Sequence, residues 1–316
     1  MEAIEALKRT IHVTEELHSL VKTMKVLAGL NIRLYERAAR AVAEYNRSIE
    51  RGLEVALQGL PEQAMPPRRA PGRKLGAIIF GSDQGMCGQL NDLIVDHGLR
   101  ALTRLAVRRE DQTILAVGSR AAAQLEASGR VVEAALEVPG STGGITATVH
   151  DVLVRIEEWR GRGIEMVVLF YCRPLSGVYY RPCAIRLLPV DMEWIRGLKA
   201  KRWPSRVIPT YTMETEQLFQ SLIREYLFVS LFRAFAESLT SENASRLASM
   251  QVAERNIEDR LKELSSEFRQ SRQTSITSEL LDIVSGFEAL KEMQKSSRRA
   301  RSWIKCGTGL TLPRFW

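Results

Sequence analysis

The chain has 316 residues, 45% of them hydrophobic and 26% charged, with a formal net charge of +8. That composition suits a soluble protein with one full domain plus an extended element, and no apolar run approaches the ~20 residues needed to span a bilayer. The basicity sits at one end: Lys291, Lys295, Arg298, Arg299, Arg301, Lys305 and Arg314 oppose only Glu292, so this tail carries about +6 and the rest about +2, which argues against a nucleic-acid-binding body.

The first element expected is a long helix over about Ile4–Leu57, interrupted only by Gly29 and Gly52, roughly 80 Å at ~1.5 Å per residue. Met1–Leu20 lacks the compact apolar core of a signal peptide, so a cytoplasmic protein is expected. Leu7, Leu17, Val21, Met24, Ala28, Tyr35, Ala38, Val42, Tyr45 and Ile49 recur mostly at steps of three and four, the pattern of a coiled-coil seam. The helix is expected to fill residues 1–58. Pro61, Pro66, Pro67 and Pro71 then mark a linker over 59–74.

Residues 75–209 alternate between strand and helix patterns. Leu75–Phe80 (LGAIIF), Thr113–Val117 (TILAV) and Ile164–Tyr171 (IEMVVLFY) read as short buried strands, Val131–Val138 as an edge strand and Val178–Leu188 as a final, alternating one. Helices are expected over Gln89–Val107, Ser119–Ala127 and Ile145–Arg160. This order predicts a mostly parallel sheet covered by helices, a Rossmann-like α/β domain. Lys199–Pro209, with Pro204 and Pro209, returns the chain to its last element.

From Met213 to Leu290 there is no proline and one glycine, Gly286, which predicts a single helix of roughly 115 Å. We place it at 210–290, followed by a disordered basic extension at 291–316. Its seam runs through Leu218, Leu222, Leu227, Leu231, Phe235, Leu239, Leu247, Met250, Ile257, Leu261, Leu264 and Phe268, then shifts phase to Ile276, Leu280, Ile283, Phe287 and Leu290. An α/β domain has nearby ends, so the flanking helices are expected to pair as an antiparallel coiled coil, forming a shaft rather than a pocket. The longer helix overhangs its partner, and the apolar residues of the overhang need a cover other than water.

Little in the chain suggests catalysis. Gly81–Asn91 (GSDQGMCGQLN) is a glycine-rich loop between a strand and a helix, where backbone amides can cradle phosphate, but it matches neither GxxxxGK[ST] nor GxGxxG. A tight turn that packs the helix on the sheet is the better reading. Cys87, Cys172, Cys183 and Cys306 form no CxxC pair or Cys/His cluster, and His12, His18, His97 and His150 have no carboxylate or cysteine at ligand spacing. No catalytic, cofactor-binding or metal-binding residue is assigned.

Two runs on the last helix are more specific: Ser241–Met250 (SENASRLASM) and Glu267–Gly286 (EFRQSRQTSITSELLDIVSG). Between Arg269 and Ser278 the second is rich in Arg, Gln, Ser and Thr, short polar groups suited to weak, replaceable hydrogen bonds. With Val21–Val26 (VKTMKV) and the GSDQGMCGQLN loop, these runs resemble the γ subunit of F-type ATP synthases, in the same order and over nearly everything up to Leu290. The resemblance implies a central rotor shaft. Its paired helices would enter a hexamer of α and β subunits, its α/β domain would bear on the ε subunit and the membrane rotor ring, and catalysis and ion transport would belong to other subunits. It would lie peripherally at the cytoplasmic face of the cell membrane.

Position by position, the resemblance implies that Arg246, Arg272, Gln273 and Thr277, with Lys22 and Met24, contact the hexamer. Asp282 stands where a glutamate is usual, and Ile276–Leu290, including Ile283 and Phe287, matches a tip held in an apolar sleeve. Departures are the bulky Val26–Ile32 run, which points to a divergent, sodium-type alternative ATPase, the absence of a cysteine-bearing regulatory insertion, and the tail beyond Leu290. Two competing readings remain: a coiled-coil scaffold or adaptor, and a nucleotide-dependent enzyme using the Gly81–Gly88 loop.

Overall fold

A computed structural model describes residues 2–60, 74–105, 107–175, 177–201, 203, 205, 207 and 209–306. Most of the 59–74 linker and the last ten residues lie outside that set. The elements are α1 (Glu2–Gly59), β1 (Leu75–Phe80), α2 (Leu90–Arg104), β2 (Gln112–Val117), α3 (Ser119–Ala127), β3 (Ala134–Leu136), α4 (Thr142–Gly161), β4 (Met166–Pro174), β5 (Tyr180–Leu188), α5 (Met192–Ala200) and α6 (Thr215–Cys306). They fall into two compact units, one built from the chain ends up to Leu20 and from Glu254 onward, the other spanning Val21–Ala253.

In the larger unit the sheet order is β3-β2-β1-β4-β5. The first four strands run parallel, and β5 is antiparallel to β4. A period of two sorts the central strands between two cores. Ile78, Phe80, Leu115, Val117, Val167, Leu169 and Tyr171 face α4 and α6. Leu75, Ala77, Ile79, Ile114, Ala116, Val168 and Phe170 face α2 and α3. β1 lies between β2 and β4 and is buried on both faces, which is why LGAIIF contains no polar residue. Edge strand β5 is mixed instead: Arg181, Ala184 and Arg186 are exposed, and Leu187 is buried.

α1 and α6 run antiparallel in this unit. Asn31 bonds Asn243, Tyr45 bonds Glu225, and Gly52 lies against Leu222, so partner numbers fall as α1 ascends. The α1 seam is cleaner than the sequence pattern indicated: Val21, Ala28, Tyr35 and Ile49 are buried at multiples of seven, while Tyr45, placed on the seam from sequence, is exposed. In the smaller unit Ile4, Leu7, Ile11, Thr14 and His18 take the inward positions and Leu17 is exposed. A strict heptad therefore runs through α1, obscured in the sequence because its polar members, Thr14 and His18, do not look like core residues.

α5 was not anticipated. Asp191 caps it by accepting from the Glu193 amide at 2.9 Å, and Ile195 and Leu198 join Ile49, Leu53, Leu57 and Val229 in a third core. Trp194 stacks on Tyr226 with ring centroids 4.6 Å apart. α6 also continues past Leu290 to Cys306, so the basic stretch 291–306 extends the helix.

One tie between α6 and the sheet is aromatic: Phe235 is 1% exposed and meets Phe80 edge-on at 4.8 Å between centroids. Phe235→Ala is expected to destabilise the full chain by about 3–5 kcal/mol in urea unfolding. Phe287, 63% exposed on the same helix, should change stability by no more than ~0.5 kcal/mol when truncated to Ala. Equal losses for the two variants would refute this account of the anchor.

Candidate functional site

The SENASR run and the GSDQGMCGQLN loop meet in the structure. From Ala234 to Arg246 every residue of α6 is buried, which a helix reaches only when other elements cover all its faces. Most of its polar side chains find partners inside the protein, while Arg246 Nε is buried without one. Ser241 Oγ donates to the Cys172 carbonyl on β4 at 2.7 Å. Ser245 Oγ donates to the Cys87 carbonyl at 2.5 Å and lies 3.0 Å from Tyr180 Oη. Arg246 Nη2 pairs with Glu242 at 2.6 Å and reaches the Gln84 carbonyl at 3.4 Å. The SENASR run therefore lies against the GSDQGMCGQLN loop.

That loop is held by its own residues. Asn91 Oδ1 accepts from the Ser82 amide at 3.0 Å, and Asn91 Nδ2 donates to Ser82 Oγ at 2.9 Å. Asp83 accepts from the Ser119 amide at 2.7 Å and the Val138 amide at 2.6 Å, drawing together the segments after β1, β2 and β3. Gly118, with φ +101°, has room only because it lacks a Cβ, which would sit 2.7 Å from the Ser82 backbone. Gly88, with φ +56°, would place a Cβ 3.2 Å from both Ser245 Oγ and Ser249 Oγ.

This position bears on nucleotide chemistry. In an open α/β sheet, ligands bind beyond the carboxyl ends of the strands where strand order reverses, here between β1 and β4. α6 occupies that place, with Ser241 on the end of β4 and Ser245 and Arg246 on the loop after β1. The loop carries no lysine or arginine, and its Gly81 and Ser82 amides are already bonded to the Val117 carbonyl and Asn91. A 310 Å³ cleft beside α2 and α3 is lined by Asp92, Asp96, Gln89 and Gln124, a set without a cation for phosphate.

A second polar knot ties α6 to the sheet. Glu237 accepts from Tyr171 Oη (2.9 Å), Arg173 Nε (3.0 Å) and Arg233 Nε (2.6 Å). Burial and the Glu237 carboxylate hold the Tyr171 phenol well above its ordinary range. Burial also pushes the Cys172 thiol up to about 12, leaving it a poor nucleophile. The sequence signal for this knot was a lone Glu in the apolar run RAFAESL, which was not recognised.

The expected contact residues separate by burial. Arg246 lies inside the joint, so its functional groups serve the protein's own interior. Met24 is half-buried and Lys22 exposed. Arg272, Gln273, Thr277, Asp282, Ile283 and Phe287 are all exposed, with Thr277 Oγ1 bonded back to the Gln273 carbonyl at 2.8 Å. Ile276, Leu280, Leu281, Ile283, Val284, Phe287, Leu290 and Met293 are each at least 49% exposed, the uncovered apolar overhang that the pattern predicts.

The ATP synthase family profile matches residues 3–290. The chain belongs to the ATP synthase γ-subunit family. The ATP synthase gamma chain of Caulobacter sp. strain K31 is 26% identical over 297 residues, covering 92% of this chain and all of that protein; that of Anaeromyxobacter sp. strain K is 26% identical with the same coverage. A rotor chain of the Euglena gracilis mitochondrial ATP synthase superposes with a TM-score of 0.59 at 16% identity, covering 87% of this chain and 99% of that one. A central-stalk/c-ring chain of the Tetrahymena thermophila enzyme gives 0.53 at 23%, covering 74% and 99%. At those identities the likeness speaks for the fold of this γ-family chain. Among its described residues no helix is long and apolar enough to cross a membrane.

The buried Glu242–Arg246 pair yields a test with a defined sign. Burial raises the Glu242 carboxyl above its ordinary 4.5, and Arg246 opposes that rise. A raised carboxyl binds its proton more tightly when folded, so its contribution favours folding at acid pH and is lost as pH rises through the folded value. Arg246→Ala removes the opposing charge and should destabilise by about 3–5 kcal/mol near neutrality, because an unpaired carboxylate stays buried. Urea unfolding at about pH 5 and pH 8 should show the larger loss at the higher pH; a loss that grows toward acid pH would overturn the assignment.

Proposed function

We propose that this chain is the central-stalk rotor subunit of an F-type ATP synthase or ATPase, carrying torque between the membrane ion-driven ring and the catalytic α/β hexamer. The carrying observation is the joint at Ala234–Arg246. A torque-bearing helix must not turn within its own domain, and a helix buried on every side and bonded to β4, β5 and the β1 loop resists such turning. The family match, which spans both terminal helices, supports the same reading.

On this proposal the chain is non-catalytic, and its partners are the α and β subunits, the ε subunit and the membrane rotor ring. It binds no nucleic acid, inserts no segment in the membrane, and lies peripherally at the cytoplasmic face of the cell membrane. The exposed residues Lys22, Arg272, Gln273, Thr277 and Asp282, with the half-buried Met24, meet the hexamer through short-lived polar contacts. Ile276–Leu290 is covered by an apolar sleeve, with Ile283 and Phe287 among its contacts; this relieves the largest apolar exposure on α6. A coiled-coil scaffold would need the same helices but offers no reason for the α/β domain to be locked to one of them.

The isolated chain is expected to hydrolyse no ATP and to co-purify from its own cells with α and β subunits. Recovery as a lone stable monomer would count against the proposal. In the reconstituted complex, Gln273→Ala should lower ATP-driven ion pumping severalfold while leaving subunit stoichiometry intact; unchanged pumping would remove Gln273 from the contact set.

A further inference from the structure

In the smaller unit the seam between α1 and α6 carries a polar group where a coiled coil favours a large apolar one. His18 continues the inward series Ile4 and Ile11, and its side chain is 18% exposed. Its Nε2 is sealed from solvent and has no hydrogen-bond partner, a costly state for a ring nitrogen. Across from it stand Glu254 and Glu258, one turn apart and on one face of α6.

One donor atom from each of His18, Glu254 and Glu258 lies within 4.8 Å of the other two. His18 Nε2 and Glu258 Oε1 are 3.4 Å apart, and two ligands on a tetrahedral ion with bonds of ~2.1 Å are separated by roughly that distance. We propose that these three residues form a binding site for a divalent cation of the Zn2+ class that ties α1 to α6. One imidazole and two carboxylates suit Zn2+ and its first-row neighbours, whereas Mg2+ and Ca2+ favour all-oxygen shells. Three protein ligands leave a coordination position for water. Spacing along the sequence could not reveal this set, because His18 and the glutamates come from opposite ends of the chain. The site supersedes the expectation of no metal ligand and is independent of the rotor proposal.

Calorimetric titration of the full chain with a Zn2+ salt should show one ion per chain at micromolar affinity, with no comparable heat from Mg2+. His18→Asn and Glu258→Gln should each weaken binding at least as much as the ~10- to 100-fold typical of losing a partner outside the ligand shell. Glu258 is exposed, so its amide variant is not expected to disturb folding, which circular dichroism can verify. His12→Ala, which removes an exposed imidazole paired only with Glu16 in the same helix, should bind as the unaltered chain does. X-ray absorption of the loaded chain should show a nitrogen and oxygen shell. Failure to bind Zn2+, wild-type binding by both ligand variants, or sulfur in the shell would each overturn the proposal.

Discussion

A helix with no exposed face must find partners for its polar side chains within the protein, and α6 does so from Ala234 to Arg246 with Arg246 Nε left without one. Serines 241 and 245 donate to carbonyls of β4 and the loop after β1, Glu237 collects three donors, and Glu242 neutralises Arg246. These bonds are directional, unlike the apolar packing around Phe235, so they fix both the rotation and the register of α6 on the sheet. The arrangement of the larger unit follows from that constraint. The Gly81–Asn91 loop must close tightly to offer its carbonyls, and Gly88 must lack a Cβ for Ser245 and Ser249 to approach.

The same constraint bears on a topology that binds nucleotides in other folds. Strand order 3-2-1-4-5 places a crevice at the carboxyl ends of β1 and β4, the position where related folds receive phosphate. Here the crevice receives a helix of the same chain, which donates to the Cys172 carbonyl of β4 and to the Cys87 and Gln84 carbonyls of the loop after β1. Fold class alone does not decide function, and the occupant of the crevice here is α6 itself.

Much of this was legible in the sequence because helix and strand periods differ. LGAIIF, TILAV and the proline-free stretch of α6 announce their elements, and Leu75–Phe80 and Ser119–Ala127 have the bounds that their patterns indicate. What escaped was long-range pairing of polar residues. Thr14 and His18 hold inward positions that composition assigns to solvent, and Leu17 and Tyr45 point outward despite being apolar. α5 was missed because its apolar face is short, Ile195 and Leu198, and its start depends on a capping aspartate. Arg246 was read by resemblance as an outward contact, whereas its burial depends on a loop more than 150 residues earlier in the chain.

Along α6 the environment changes by stages, and the chemistry changes with it. Within the larger unit, residues 234–246 are enclosed and most of their polar groups are paired inside the protein. In the smaller unit a narrower seam that includes Ile257, Leu261, Leu264 and Phe268 turns inward. From Ile276 to Met293 every residue is exposed, yet the sequence keeps large apolar residues there. Propensity does not require them, since Ala, Glu or Lys would hold a helix as well, and exposed Ile, Leu and Phe invite aggregation. Their retention is reasonable only if another surface covers them in use. The exposed Arg272, Gln273 and Thr277 lie just before that stretch, so the transition from apolar seam to apolar tip is also where α6 presents its exchangeable polar groups.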